Sequence, residues 1–285
     1  MIGVFDSGSG GLTILDALHK RLPDQDFLYL GDHANAPYGH RGSDQIVTLT
    51  RNAVDTLMQA GCRLVIIACN TAASVALRTL QQTWLPTAYP ERRILGVLVP
   101  MVEAMTGVPW SQEHPEEHPG AGKREDRTIA LFATRKTVES GAYVEEVCKR
   151  APHLKLIQKA CPGLVDAIEG GAGTRPMNGL VDGFVAEMLD AAGGAPDAAL
   201  LGCTHFPLVE NAFRAALPAT TELYSQPDIV AASLAAYLDR HPEFRETGTG
   251  EIQLLTTGRP ADVTAASAYL PDHLSRFESA ARLKD

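Results

Sequence analysis

The sequence predicts an α/β protein of two lobes, each built on a mainly parallel central sheet. Three observations predict it. Short apolar, β-branched runs alternate with helical patterns; the alternation breaks once, around residues 108–127, and then restarts; and each half carries one similar strand-to-helix junction. Continuous β-branched runs suit strands covered on both faces. Their alternation with helices implies right-handed crossovers.

The elements follow in order. Residues 2–5 read as a strand, 12–22 as a helix, 26–30 as a second strand and 43–60 as a helix. The run Arg-Leu-Val-Ile-Ile-Ala at 63–68 is a third strand, followed by a helix over 71–82 and a fourth strand at 93–97. Residues 111–126 are rich in Pro, Gly, Glu and His and read as a surface loop, with His114 and His118 as solvated side chains rather than metal ligands. The rhythm then resumes: strand 128–133, helix 137–149, strand 154–158, helices 162–169 and 177–192, and strand 197–201. Pro207 is placed as a first-turn residue opening a helix. Helices at 228–239 and 261–270 and a short strand at 251–255 complete the chain. One lobe is expected to comprise residues 1–97 with 208–285, the other residues 98–207.

Composition narrows the function classes. The chain has 285 residues, 45% of them hydrophobic, enough for a well-buried core. Its net charge of −9 makes nucleic acid a poor partner. No apolar run approaches the ~18 residues of a membrane span. The first residues, Met1 to Asp6, hold no basic segment ahead of an apolar stretch, so no secretory signal is read and the cytoplasm is the expected compartment. Five cysteines, an odd number, argue against a disulfide framework. There is no C-x-x-C pair and no H-E-x-x-H segment, so neither a structural zinc site nor a zincin site is expected.

The paired junctions are Leu-Val-Ile-Ile-Ala-Cys-Asn-Thr at 64–71 and Ala-Ala-Leu-Leu-Gly-Cys-Thr-His at 198–205. In each, an apolar strand ends at a cysteine, Cys69 or Cys203, and small polar residues lead into a helix. Ligands of α/β sheets bind at the carboxyl ends of strands, and a helix N-terminus favours a thiolate or an anion beside it. A cysteine ending an apolar run is ordinarily a small core residue, and Cys62, Cys148 and Cys161 are read that way. A third element is the glycine-rich turn Asp-Ser-Gly-Ser-Gly-Gly at 6–11. It offers backbone N–H groups to an anion or is simply a tight turn. It is not a dinucleotide fingerprint, a P-loop or a nucleophile elbow. Asp6 either orients a nearby proton carrier or caps the helix.

Taken together, these segments resemble the aspartate/glutamate racemase superfamily, and most closely the glutamate racemase family. The resemblance rests on Gly3 to Leu12, Tyr29-Leu-Gly-Asp32, Pro37-Tyr38-Gly39, Ala68-Cys-Asn-Thr-Ala72 and Gly202-Cys-Thr-His-Phe-Pro-Leu208. Weaker matches are Thr134-Arg-Lys-Thr137 with Ser140 and Tyr143, and Cys161-Pro162 with Glu169. It implies pseudo-symmetric lobes with glutamate held in the cleft between them, and no cofactor. It implies Cys69 and Cys203 as the acid/base pair, Asp6 beside the first, and His205 and Glu169 beside the second. It implies Ser7, Pro37, Tyr38, Gly39, Asn70, Thr71, Thr134, Thr137 and Thr204 as substrate contacts, with Asp6, both cysteines and His205 also lining the substrate. A homodimer supplying D-glutamate to peptidoglycan synthesis follows from the same likeness. His205 and Glu169 keep a structural reading alongside the catalytic one. The residues His33 to Ala36 and the 111–126 loop depart from the family pattern. The chain opens at its first strand, so activation by a cell-wall precursor through an N-terminal extension is not expected.

The chemistry explains the residue types. Racemisation removes a proton from one face of a carbon and returns one to the other, so two groups on opposite faces are the simplest solution. A thiol, with a reference pKa near ~8.5, suits both roles. The implied cycle has Cys69 deprotonating D-glutamate and Cys203 deprotonating L-glutamate. Hydroxyls of Ser7, Thr71 and Thr204 and the Asn70 amide would stabilise charge on the carboxylate. Alternatives are an aspartate racemase or another superfamily member, a nucleotide- or phosphate-binding α/β protein, and a non-catalytic binding protein.

Overall fold

The computed structural model describes residues 1–110, 126–246, 248–266 and 272–284. Apart from Asp126, the loop expected over 111–126, with His114 and His118, lies outside the described residues, as does the last part of the helix expected over 261–270.

Among the described residues ten strands form two sheets. They are β1 (Ile2–Asp6), β2 (Phe27–Gly31), β3 (Leu64–Ile67), β4 (Arg93–Gly96), β5 (Thr128–Ala133), β6 (Lys155–Ala160), β7 (Ala198–Gly202), β8 (Glu222–Tyr224), β9 (Ile252–Thr256) and β10 (Phe277–Ser279). The first sheet has the order β10-β9-β2-β1-β3-β4 and the second β6-β5-β7-β8, with every pairing parallel. The predicted α/β class with parallel sheets is the observed one.

The two orders share a pattern. In the first sheet the chain steps from β1 to β2 on one side, then places β3 on the other side of β1. In the second it steps from β5 to β6, then places β7 on the other side of β5. Each sheet therefore has a switch point, between β1 and β3 and between β5 and β7. Such switch points leave a crevice at the carboxyl ends of the flanking strands, where α/β proteins bind ligands.

Burial follows the runs of the sequence. All residues of β1, β2, β3 and β7 are buried, as expected of strands covered on both faces. Each fully buried Val, Leu or Ile side chain contributes ~1.5–3 kcal/mol relative to exposure. The helix Leu98–Thr106 packs its Leu98, Met101, Val102 and Met105 into one core with Ile129 and Tyr143.

Several elements differ from expectation. The helix expected over 137–149 is two helices, Arg135–Ser140 and Ala142–Arg150, because Gly141 sits between them in the left-handed region at φ 67°. The helix Asn70–Thr79 runs on into a π-helical turn over Leu80–Trp84. Pro207 does sit in a first turn, but of the 3-10 segment Phe206–Val209; the α-helix begins at Glu210. Strand β8 pairs with β7, so the second sheet extends beyond the boundary expected at residue 207. The chain returns to the first sheet only afterwards, through the helix Gln226–Arg240, which packs against the helix Leu12–Arg21. Among the described residues no helix is long and apolar enough to cross a membrane.

Candidate active site

Both switch points open onto one cavity of about 800 Å³, open mouth included. Ser7 follows β1 and Cys69 follows β3 by two residues, while Thr134 follows β5 and Cys203 follows β7 directly; all four line the cavity. The two cysteines thus come from equivalent strands of two like-ordered sheets.

Their surroundings are not alike. Cys69 is the N-cap of the helix Asn70–Thr79, and its Sγ accepts from the Ala72 backbone N–H at 3.5 Å. Ser7 Oγ lies 3.3 Å from the same sulfur. Burial, reinforced by the negative charge of Asp6, pushes the Cys69 thiol up to about 12, against the lowering influence of these hydrogen bonds. Cys203 leads into the 3-10 turn rather than an α-helix, so the helix terminus expected there is absent and a histidine stands in its place. His205 Nδ1 is 4.0 Å from Cys203 Sγ, and His205 Nε2 is 2.8 Å from Glu169 Oε1. Burial works to lower the His205 pKa, but bonding to Cys203 and Glu169 outweighs it and pushes it up to about 10. Glu169 also resists burial, and the imidazole holds its carboxyl below the usual range. Glu169, His205 and Cys203 are thus linked in series, and all three line the cavity.

Most of the expected site residues line that cavity: Ser7, Pro37, Tyr38, Gly39, Cys69, Asn70, Thr71, Thr134, Cys203, Thr204, His205 and Glu169. Thr71 and Thr134, from opposite halves, meet at 2.9 Å between hydroxyl oxygens. Two residues are set back from it. Asp6 is wholly buried; its carboxylate accepts from the Gly8 N–H at 2.9 Å and from the Thr204 hydroxyl at 3.1 Å. Burial raises its pKa more than His205 and these bonds lower it. Thr137 is also wholly buried, with its hydroxyl 3.0 Å from that of Thr134. Both side chains thus stand one layer behind the residues that line the cavity.

The glycine-rich turn is not an open cradle. A Cβ at Gly10 would lie 2.4 Å from His205 Nδ1, and one at Gly11 would lie 2.5 Å from Asp6 Cβ. These glycines have no positive φ. They are required for space: the second half's Thr204-His205 segment rests on Gly10, while Asp6 and Tyr29 crowd Gly11; Thr13 Oγ1 also donates to the Thr204 carbonyl at 3.0 Å. The cysteines read as core residues divide. Cys62 is buried, Cys148 is exposed on the outer face of its helix, and Cys161 is buried but lines the cavity.

The sequence assigns no role to several neighbours. Arg135, His40 and Asp166 line the cavity. Asp32 accepts from the Tyr38 hydroxyl at 2.6 Å and from Thr257 at 2.6 Å, tying the Pro37–Gly39 wall to the segment after β9. Among the described residues no cluster of three or more His, Cys, Asp or Glu is placed to hold a metal ion.

Two parallel-sheet halves that each bring a strand-end cysteine to a shared cavity have the architecture of an amino-acid racemase. Among solved structures it is matched by the glutamate racemase of Thermus thermophilus in complex with β-chloro-D-alanine, with a TM-score of 0.76 and 30% identity over 98% of this chain and 95% of that one. No protein-family model matches the sequence. Curated relatives named glutamate racemase are 48% identical in Roseobacter denitrificans, over 92% of this chain and 93% of the relative, and 47% identical in Phenylobacterium zucineum, over 91% and 92%. The chain belongs to the glutamate racemase family.

Proposed function

We propose that this chain interconverts L-glutamate and D-glutamate by a two-base proton transfer between Cys69 and Cys203, without a cofactor. The observation that carries the reading is the equivalence of the two cysteines: each follows the same strand of its sheet, and both line one cavity. Relatives named glutamate racemase along almost the whole chain support glutamate over aspartate as substrate.

In this reading Cys203 removes the α-proton of L-glutamate while Cys69 returns one from its thiol to the opposite face. For D-glutamate the roles exchange. The protonated His205 next to Cys203 and the buried Asp6 near Cys69 set the charge around each sulfur without touching the reacting carbon. The Ser7, Thr71 and Thr204 hydroxyls and the Asn70 amide hold the carboxylates in a water-poor site, where such donors stabilise developing negative charge best. Two lobes, residues 1–97 with the chain beyond β8 and residues 98–224, would close on the substrate from either side. The chain would act as a homodimer in the reducing cytoplasm, where free thiols persist, and supply D-glutamate for peptidoglycan.

Incubation with L-glutamate and L-aspartate separately, followed by circular dichroism of the amino acid, tests the substrate. Loss of optical activity is expected with glutamate. Loss with aspartate alone overturns the assignment.

A further inference from the structure

We propose that Gln226 and Tyr143 are positioning residues that lock the Asn70 side-chain amide so that one N–H of Asn70 is presented to a substrate carboxylate. The inference rests on the proposed glutamate chemistry and names parts of the same site that do not themselves line the cavity.

Asn70 follows Cys69 directly and lines the cavity while being 3% exposed. Its Nδ2 donates to Gln226 Oε1 at 2.7 Å, and Gln226 Nε2 donates back to Asn70 Oδ1 at 2.9 Å. The Tyr143 hydroxyl donates to the same Oδ1 at 2.8 Å. An amide oxygen has two lone pairs and an amide nitrogen two hydrogens. Both lone pairs of Oδ1 are therefore engaged and one Nδ2 hydrogen is left over. Gln226 and Tyr143 are wholly buried. Burial also pushes the ionisation of Tyr143 up, so its hydroxyl stays a donor and needs an acceptor opposite it. Turning the Asn70 amide over would put its NH₂ group against that donor. The oxygen is thus fixed toward Tyr143 and the remaining N–H toward the cavity.

The three residues come from three places. Asn70 opens the helix after β3, Tyr143 lies on the helix Ala142–Arg150 after β5, and Gln226 opens the helix that follows β8. Asn70 is therefore held by residues from beyond the first sheet's switch point, and its orientation depends on how the two halves sit together. An amide already set before binding loses less freedom when the ligand arrives.

The test is a double-mutant cycle on the full chain with L-glutamate kinetics and D-glutamate calorimetry. Tyr143→Phe and Gln226→Leu are each expected to raise KM and the D-glutamate dissociation constant about ten-fold, the size of one lost hydrogen bond to a charged group, with kcat changed less. In an Asn70→Ala background the same changes should add less than about two-fold, because their effect runs through Asn70. Equal effects with and without Asn70, or single variants with unchanged KM and dissociation constant, overturn the proposal. Tyr143→Phe removes a single oxygen and decides the question if Gln226→Leu does not fold. A wild-type chain that leaves L-glutamate unchanged overturns the glutamate reading and this one with it. An active wild type with additive variants overturns this one alone.

Discussion

Gly10 and His205 meet with no room for a methyl group between them: a Cβ on Gly10 would stand 2.4 Å from His205 Nδ1 and 2.5 Å from Thr204 Oγ1. Neither neighbour is free to retreat. His205 is bonded to Glu169 and Thr204 to Asp6. Gly10→Ala should therefore shift the Cys203 loop away from the first sheet. The expected cost is ~1–3 kcal/mol of stability, as for other overpacked sites. A displacement of about 1 Å would lower turnover roughly 100-fold. Gly42→Ala, where nothing lies within 4 Å, serves as the control in both thermal unfolding and turnover. Equal behaviour of the two variants would show that the close approach has no consequence.

Glu169 and His205 tie stability to pH, and the sign can be worked out. An unfolded histidine titrates near ~6.5. In the folded chain His205 is pushed up to about 10, with its bonds to Cys203 and Glu169 overcoming the opposing effect of burial. Its contribution is complete below ~6.5 and is lost as pH rises through about 10. The Glu169 carboxyl is held low, so its part is present above the ordinary glutamate value of ~4.3 and is lost on further acidification. Glu169→Gln should thus lower the unfolding temperature most near pH ~5–6, with the gap closing toward pH ~10. Thermal unfolding of both proteins across that range checks it; a gap of constant size would remove the ion pair from the account.

Legibility of the sequence varied with the range of the interaction. The junctions at Cys69 and Cys203 were readable because each strand end, cysteine and following polar residues are contiguous. The three-residue strands β8 and β10 were not, since so short a segment is a strand only through its partners β7 and β9. The helix Leu98–Thr106 is apolar on nearly every face, which erases the periodicity that would announce it. Asp6 and Thr137 are assigned as substrate-site residues only by the family resemblance, and their places behind the cavity lining rest on Thr204 and Thr134, which no local pattern supplies. Gln226 reaches Asn70 across 156 residues and Tyr143 reaches it across 73, so Gln226 leaves no local sign and Tyr143 is visible only as a residue matching the family, with no role attached.

Cys69 should be slow to alkylate in the empty protein. The residue is 5% exposed and its thiol is pushed up to about 12 by burial and by the Asp6 charge, so little thiolate is present at neutral pH. Cys148, exposed on its helix, provides the internal reference. Iodoacetamide at pH 8, followed by peptide mass spectrometry, should label Cys148 well before Cys69. Asp6→Asn removes the charge that opposes ionisation of Cys69 and should speed its labelling. Cys69 reacting as fast as Cys148 in the unaltered chain would contradict the buried, protonated thiol.

The two sulfurs should be separable by isotope exchange, because each is assigned one face of the substrate. Replacing either by alanine leaves one base and no donor opposite it, so inversion should stop in both directions and turnover should fall by at least the ~10²–10⁴-fold ascribed to a general acid–base group. Removal of a proton from the remaining face needs only the remaining thiol. In D₂O, Cys69→Ala should therefore exchange the α-proton of L-glutamate through Cys203 without inverting it, and leave D-glutamate untouched. Cys203→Ala should do the reverse. Proton NMR of each enantiomer follows the loss of the α-signal, and chiral chromatography confirms that configuration is kept. Exchange of both enantiomers by a single-cysteine variant would mean that one thiol reaches both faces, and the division of labour between Cys69 and Cys203 would have to be given up.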